Sequence, residues 1–336
     1  MKSRIMLVLS ISLLASAAIA GPAGYKMTNL VSDVSGKAAN TDSQLVNAWG
    51  LAQVSDSDPV WVSNNNSNTS TFYDRTSGSK VGSVTVTSGN PTGIVAGPGT
   101  GFNVTESGKT GSSIFIFDTE SGTIEGWAPS VDSAKTIVGY SGASNGSVYK
   151  GLAIDPTTNH LFAADFANNQ VQIFDNKFKL LGSFTDTSLP RRYAPFNVAV
   201  LNGNLYVAFA ERDGSHMNQV NGAGFGYVDV FSTSGTLITQ LIAQGPLNAP
   251  WGLTIAPSGF GAFAGDLLVG NFGNGWINAF NPTTGAILGT LSSPKGDPIA
   301  IKNLWALDNG PGTSTITFSS GPDGQMHGLL GLIAPK

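Results

Sequence analysis

The 336-residue chain has no cysteine, which removes disulfides, thiolate metal sites, iron–sulfur clusters and a thiol nucleophile from what it can do. Charge is also scarce: Asp, Glu, Lys and Arg make up 11% of the residues and the formal net charge is −4. Such a sequence offers no basic surface to follow a phosphate backbone, so nucleic acid is not an expected partner. Beyond residue 20 no apolar run approaches the roughly 20 residues of a membrane helix, and no long stretch repeats with a helical period. A Gly-x-Ser-x-Gly elbow, a His-Glu-x-x-His pair and a Walker loop are all missing.

Glycine is plentiful, with 43 residues, and Ser, Thr and Asn carry most of the polarity, a composition that favours strands and turns. Five times an aromatic residue is followed by a turn starter and a return strand: Tyr73-Asp74, Phe117-Asp118, Phe174-Asp175, Phe231-Ser232 and Phe280-Asn281. The spacings of 44, 57, 57 and 49 residues are those of β-propeller blades. Each unit opens with a small apolar segment, around Trp49-Gly50, Thr92-Gly93, Lys150-Gly151, Phe196-Asn197, Trp251-Gly252 and Trp305-Ala306. Second strands are expected at 60–63, 101–104, 161–164, 205–208, 267–270 and 315–318, and third strands run into the aromatic, as at 114–117 and 171–174. Six openings imply an all-β, six-bladed propeller. The last blade lacks its outer strand, and residues 25–31 are expected to pair with 329–333 and close the ring.

Residues 1–20 read as a secretory signal peptide: Lys2 and Arg4, an apolar run from 5 to 14, then Ala18-Ile19-Ala20. The expectation is therefore an exported protein, periplasmic or extracellular, with one propeller domain over 21–336, no membrane insertion after cleavage, and a monomeric state. Its partner would be an extracellular ligand or protein.

The strings LNAPWGL at 247–253, LLVGNFGNG at 267–275 and GPDGQMHGLLG at 321–331 carry a resemblance, continued by NAWGL at 47–51, Asn197 and GFGYVDVF at 224–231. In these the chain resembles a largely uncharacterised family of secreted bacterial proteins with NHL-like β-propeller repeats. The resemblance implies a fold and an export route, and it brings no activity with it.

Chemistry is expected at the propeller mouth, where the opening segments meet the loops joining second and third strands. An aromatic cup of Trp49, Phe196, Trp251 and Trp305 with Asn64, Asn197 and Asn271 has the composition of a ligand site. The same tryptophans at equivalent repeat positions also suit packing between blades, and the asparagines suit turns. The insertion 211–226 is a long polar loop holding Glu211 and His216, candidates for acid–base work. Glu106, Asp165, Asn197, Glu211 and Asn271 come from different blades and supply oxygen ligands suited to Ca²⁺ or another divalent metal. Asp74, Asp118 and Asp175 are read as outer-turn formers and excluded from the site. A binding scaffold, a divalent-metal-dependent hydrolase, lactonase or lyase, and a matrix-associated structural protein all remain open.

Overall fold

The computed structural model describes residues 24–336, so the expected leader at 1–20 lies outside the described residues. Six antiparallel sheets of four or five strands follow one another along the chain. In blade 1 the strands are Ala48–Ala52, Val60–Asn64, Thr69–Tyr73 and Lys80–Thr85, from the inside out. The reasons are local. Val60, Trp61 and Val62 suit a strand buried on both faces. The outer turn is made by Asp74, whose Oδ1 accepts from the amides of Thr76 and Ser77 at 3.1 and 2.7 Å. Tyr73, Phe174, Phe231 and Phe280 end their third strands almost wholly buried, which is why an aromatic recurs there.

The ring closes as the sequence predicts. Tyr25–Ser32 lies antiparallel to Leu329–Pro335, with Thr28 opposite Leu332, and Asn40–Thr41 adds a short fifth strand outside it. Joining the first described strand to the last blade removes an open sheet edge and ties both ends of the ring together.

Blade 2 departs from expectation. Its inner strand Pro91–Ala96 pairs directly with Phe115–Thr119, so the segment expected as a third strand is the second. Thr123–Trp127 and Ile137–Ser141 follow it outward. The segment expected as the second strand turns instead into a separate hairpin, Asn103–Glu106 with Lys109–Ser112, about a Ser107-Gly108 turn in which both φ angles are positive. Phe102 and Val104 are buried in the core cluster that also contains Tyr149 and Leu161 of blade 3. Their apolar character was a sign of burial, but in the core between blades rather than in the ladder. The excursion puts the end of the Phe115–Thr119 strand, with Asp118, and the Glu120-Ser121-Gly122 turn at the upper face, where inner strands begin.

Candidate functional site

One residue of each inner strand occupies the same level of the channel: Trp49, Thr92, Lys150, Phe196, Trp251 and Trp305. The next position is Gly50, Gly93, Gly151, Asn197, Gly252 and Ala306. In the four blades with glycine, close approach of the next blade requires it. A Cβ on Gly50 would stand 2.5 Å from the Thr92 carbonyl oxygen, and one on Gly93 would stand 2.5 Å from the Leu152 nitrogen. Four of the six residues are aromatic, and with Phe166 and Phe272 they form one buried cluster. Trp49 and Trp305 stack at 3.7 Å between centroids, and Phe272 lies 4.3 Å from Trp305. This is a plug.

Blades 2 and 3 break the aromatic ring with Thr92 and Lys150. The Lys150 side chain is only 2% exposed. Its ammonium donates to Glu120 Oε1 and lies 5.3 Å from the centre of the Trp49 ring. Glu120 Oε2 accepts from Asn65 Nδ2 at 2.9 Å; Asn65 Oδ1 accepts from Asn47 Nδ2 at 3.3 Å; Asn47 Oδ1 accepts from Trp305 Nε1 at 2.9 Å. A charge buried in an apolar plug is thus compensated by one carboxylate and a chain of amides, as burial of an ion demands.

Beside it, Asp118 is fully buried, and its Oδ1 accepts from Thr92 Oγ1 at 2.7 Å and from the Gly93 amide. Burial pushes its carboxyl up to about 7, against the lowering effect of those donors and the Lys150 charge. Its Oδ2 has no partner among the described residues.

Below the plug the channel opens into a funnel of about 460 Å³ toward the opposite face. Its wall is the second half of the inner strands, mostly Gly, Ala, Val, Ile and Leu, with Trp251 and Asn197 among the lining residues and Gln53, Thr254 and Asp308 farther along their strands. Asn197 Nδ2 donates to the Trp251 carbonyl at 2.7 Å, and Trp251 Nε1 donates to the Lys150 carbonyl at 2.8 Å, so wall and plug are one hydrogen-bonded unit. Burial pushes the Asp308 carboxyl up to about 6.

These positions revise the expected cup. Trp49, Phe196 and Trp305 are at most 1% exposed and serve as packing, while Trp251 and Asn197 also line the funnel. Asn64 donates to Thr69 and Thr71 Oγ1 within its own blade, and Asn271 braces its blade by donating to the Pro246 carbonyl and accepting from the Asn248 amide. Asp165, at the matching position in blade 3, accepts from Ser147 Oγ and from the Val148 amide. Glu106, on the extra hairpin, pairs with Lys135, and Glu211 pairs with Arg192. The five expected metal ligands are therefore engaged separately, and among the described residues no three His, Cys, Asp or Glu side chains gather in a metal-holding group.

His216 and Glu211 share no hydrogen bond. His216 sits in the left-handed region, its amide donating to the Asp213 carbonyl, in a turn built by Asp213. That carboxylate, held down to about 2, accepts from Ser215, Met217 and Asn218. The polar insertion is ordered by Asp213, by pairing of Gln219–Val220 with Glu211–Arg212, and by the Gly222 amide donating to Asn248 Oδ1 at 2.8 Å.

The residues missed were Asp118, Glu120 and Lys150. Lys150 was the one visible signal: a lysine where the other repeats place tryptophan, phenylalanine or threonine. A blade 2 in register with its neighbours would make Asp118 an outer-turn former; the direct pairing of Phe115–Thr119 with Pro91–Ala96 instead places it beside the inner strand.

No family model matches the chain. It is 33% identical over 324 residues to an uncharacterized protein of Acanthamoeba polyphaga mimivirus, covering 92% of this chain and 80% of the relative. A second uncharacterized mimivirus protein is 31% identical, with 92% and 85% covered. Virginiamycin B lyase from Staphylococcus aureus is similar in structure, with a TM-score of 0.51 and 11% identity over 92% of this chain and 99% of the lyase; at that identity the likeness is one of fold. The chain belongs to the family of those uncharacterized mimivirus proteins.

Proposed function

We propose that this propeller is a binding protein, exported after removal of its leader, that takes a small molecule with both apolar and polar groups into the funnel below the plug. The observation that carries this reading is the funnel itself: about 460 Å³, open at one face, closed at the other by packed aromatics, and walled by aliphatic side chains interspersed with polar surface that includes Gln53, Asn197, Thr254 and Asp308. That volume is in the range of small-molecule sites, where apolar contact supplies affinity and polar groups orient the ligand. Asp308 offers the ligand a carboxyl that changes charge near neutrality.

The probe is 1-anilinonaphthalene-8-sulfonate, which has an apolar body of suitable size. One saturable site per chain is expected, weakened about tenfold or more in Gln53→Trp, where an indole would fill part of the wall. Absence of saturable binding, or unchanged binding in the variant, would sink the reading.

A catalytic reading has one observation in its favour, the buried Asp118 carboxyl near neutrality next to Lys150, an arrangement able to hold or pass a proton. It ranks second because Asp118 is fully buried and Lys150 nearly so, which leaves no substrate in reach of either group.

A further inference from the structure

Among the described residues Asp308 is the one ionisable side chain that lines the funnel, past Trp305 on the inner strand Leu304–Asn309. Its carboxylate accepts one hydrogen bond within the protein, from the Asn309 amide to Oδ1 at 2.8 Å. Its Oδ2 has no donor among the described residues and is not sealed from solvent. Arg75 is the cation whose charge reaches Asp308, but it is committed elsewhere. Its guanidinium donates to the Asp56 and Asn309 carbonyls at 2.6 and 2.8 Å, and its ion pair, at 3.5 Å, is with the Asp56 carboxylate. Arg75 is also absent from the funnel wall.

The remaining polar side chains of the wall favour the same sign of ligand. Each side-chain donor group there already donates to a carbonyl: Asn197 Nδ2 to Trp251, Trp251 Nε1 to Lys150, Gln53 Nε2 to Asn309 at 3.4 Å and Thr254 Oγ1 to Ile255 at 3.5 Å. The loops that leave the inner strands at this face, 53–59, 156–159, 202–203, 256–266 and 310–315, contain Asp56, Asp58 and Asp266 and no Lys or Arg. The longer excursion of blade 2 adds one charge of each sign, Glu106 and Lys109. A molecule entering the funnel therefore meets aliphatic wall and an unpaired negative charge.

We propose that the ligand of the funnel is a protonated aliphatic amine, seated hydrocarbon first, with its chain against Leu152, Leu253 and Leu307 and its ammonium on Asp308. The assignment rests on the funnel being a binding site. Three residues of strand separate the Trp305 level from Asp308, about 10 Å, which accommodates a chain of about six carbons. An alcohol of that shape forgoes the ion pair, and a carboxylate sets like charges together, in a half-buried site where charge interactions exceed those in open water. A calcium ion suits the funnel less, because it asks for about six to eight oxygen ligands and the wall offers one carboxylate.

The test is calorimetric titration of the chain from Gly24 onward with hexan-1-amine, at a pH of about 8 where amine and carboxyl are both charged. Hexan-1-ol and hexanoate are the neutral and anionic controls. One site per chain is expected for the amine, with a Kd of about 1 mM. The alcohol should bind about tenfold more weakly, and hexanoate more weakly still. Asp308→Asn keeps the shape and removes the charge. It should weaken the amine about tenfold, leave the alcohol within about twofold, which also shows that the variant is folded, and tighten 1-anilinonaphthalene-8-sulfonate, whose sulfonate no longer faces a carboxylate. Equal binding of amine and alcohol, both weakened in Gln53→Trp, would overturn the amine assignment and leave the funnel a binding site. Amine binding unchanged in Asp308→Asn or in Gln53→Trp would place the ammonium elsewhere and overturn it as well. No saturable binding of any of these molecules would overturn both the assignment and the binding reading beneath it.

Discussion

The Lys150 ammonium lies 5.3 Å from the centre of the Trp49 ring, at a level of the channel where three other blades also contribute aromatic rings. Its counter-ion Glu120 is 27% exposed while Lys150 is 2% exposed, so the two halves of this ion pair are not equivalent. Glu120→Gln leaves a buried charge uncompensated and is expected to cost about 3 kcal/mol. Lys150→Met leaves a carboxylate that water can reach, and is expected to cost about 1 kcal/mol. Urea denaturation of the single variants and the Lys150→Met/Glu120→Gln double variant checks this. Equal losses, or additive ones, would contradict it.

A second carboxyl is strained by burial at the junction of blades 3 and 4. Asp229 is wholly buried with both oxygens unpartnered, and burial together with the neighbouring Asp186 pushes it up to about 8. Because its folded value lies above the ordinary carboxyl value near 4, the neutral form favours folding. Its contribution is complete below about pH 4, declines as pH rises to about 8, and then levels off. Asp229→Asn keeps the shape and removes the titration. At about pH 8.5 the variant is expected to be more stable than the parent by about 2 kcal/mol, with the gap closing toward pH 5. A pH-independent difference in chemical denaturation would refute this.

The glycines of the inner strands make a sharper contrast. Gly93→Ala sets a methyl 2.5 Å from the Leu152 nitrogen and 2.8 Å from Asp118 Oδ1, and is expected to cost about 3 kcal/mol or more. Gly182, in the outer strand Leu180–Phe184, has no neighbouring atom within 4 Å of an added Cβ. Gly182→Ala is expected to lie within about 0.5 kcal/mol of the parent. Thermal melts distinguish the two, and comparable losses would mean that the inner strands are not pressed together as described.

Much of this architecture is legible in the residues. Tyr73, Phe174, Phe231 and Phe280 mark the third strands because burial at that point demands a large apolar side chain, and the unpaired last blade required a strand from the other end. Blade 2 differs because Phe102 and Val104 have the apolar character of strand residues but are buried in the core shared with blade 3, while Phe115–Thr119 takes the second-strand place. Side-chain type reports burial, while register depends on backbone pairing that a lone sequence does not display. The site suffered from the same limit. Polar side chains next to loops draw attention, but Asp165 braces the Ser147-Val148 segment, Glu211 pairs with Arg192, and His216 belongs to a turn built by Asp213, whereas Lys150 stands out only by comparison with the other repeats because its neighbours are apolar.

Ring closure gives another expectation. A chain beginning at Asp33 lacks Tyr25–Ser32, leaving the edge of Leu329–Pro335 unpaired and removing the hydrogen bond from Tyr25 Oη to the Phe260 carbonyl. Losing one strand of the closing sheet is expected to lower the melting temperature by more than about 10 °C or to abolish cooperative melting. Calorimetry that shows an unchanged transition would mean the closure is not needed for the ring.

The most direct measurement is a crystal structure of the chain from Gly24 onward grown with 1-anilinonaphthalene-8-sulfonate. Electron density for the probe is predicted in the funnel, against Leu152, Leu253 and Asp308, with Trp49 and Trp305 still stacked above it. Density for the probe only on the outer surface, with the funnel holding solvent, would contradict the binding reading.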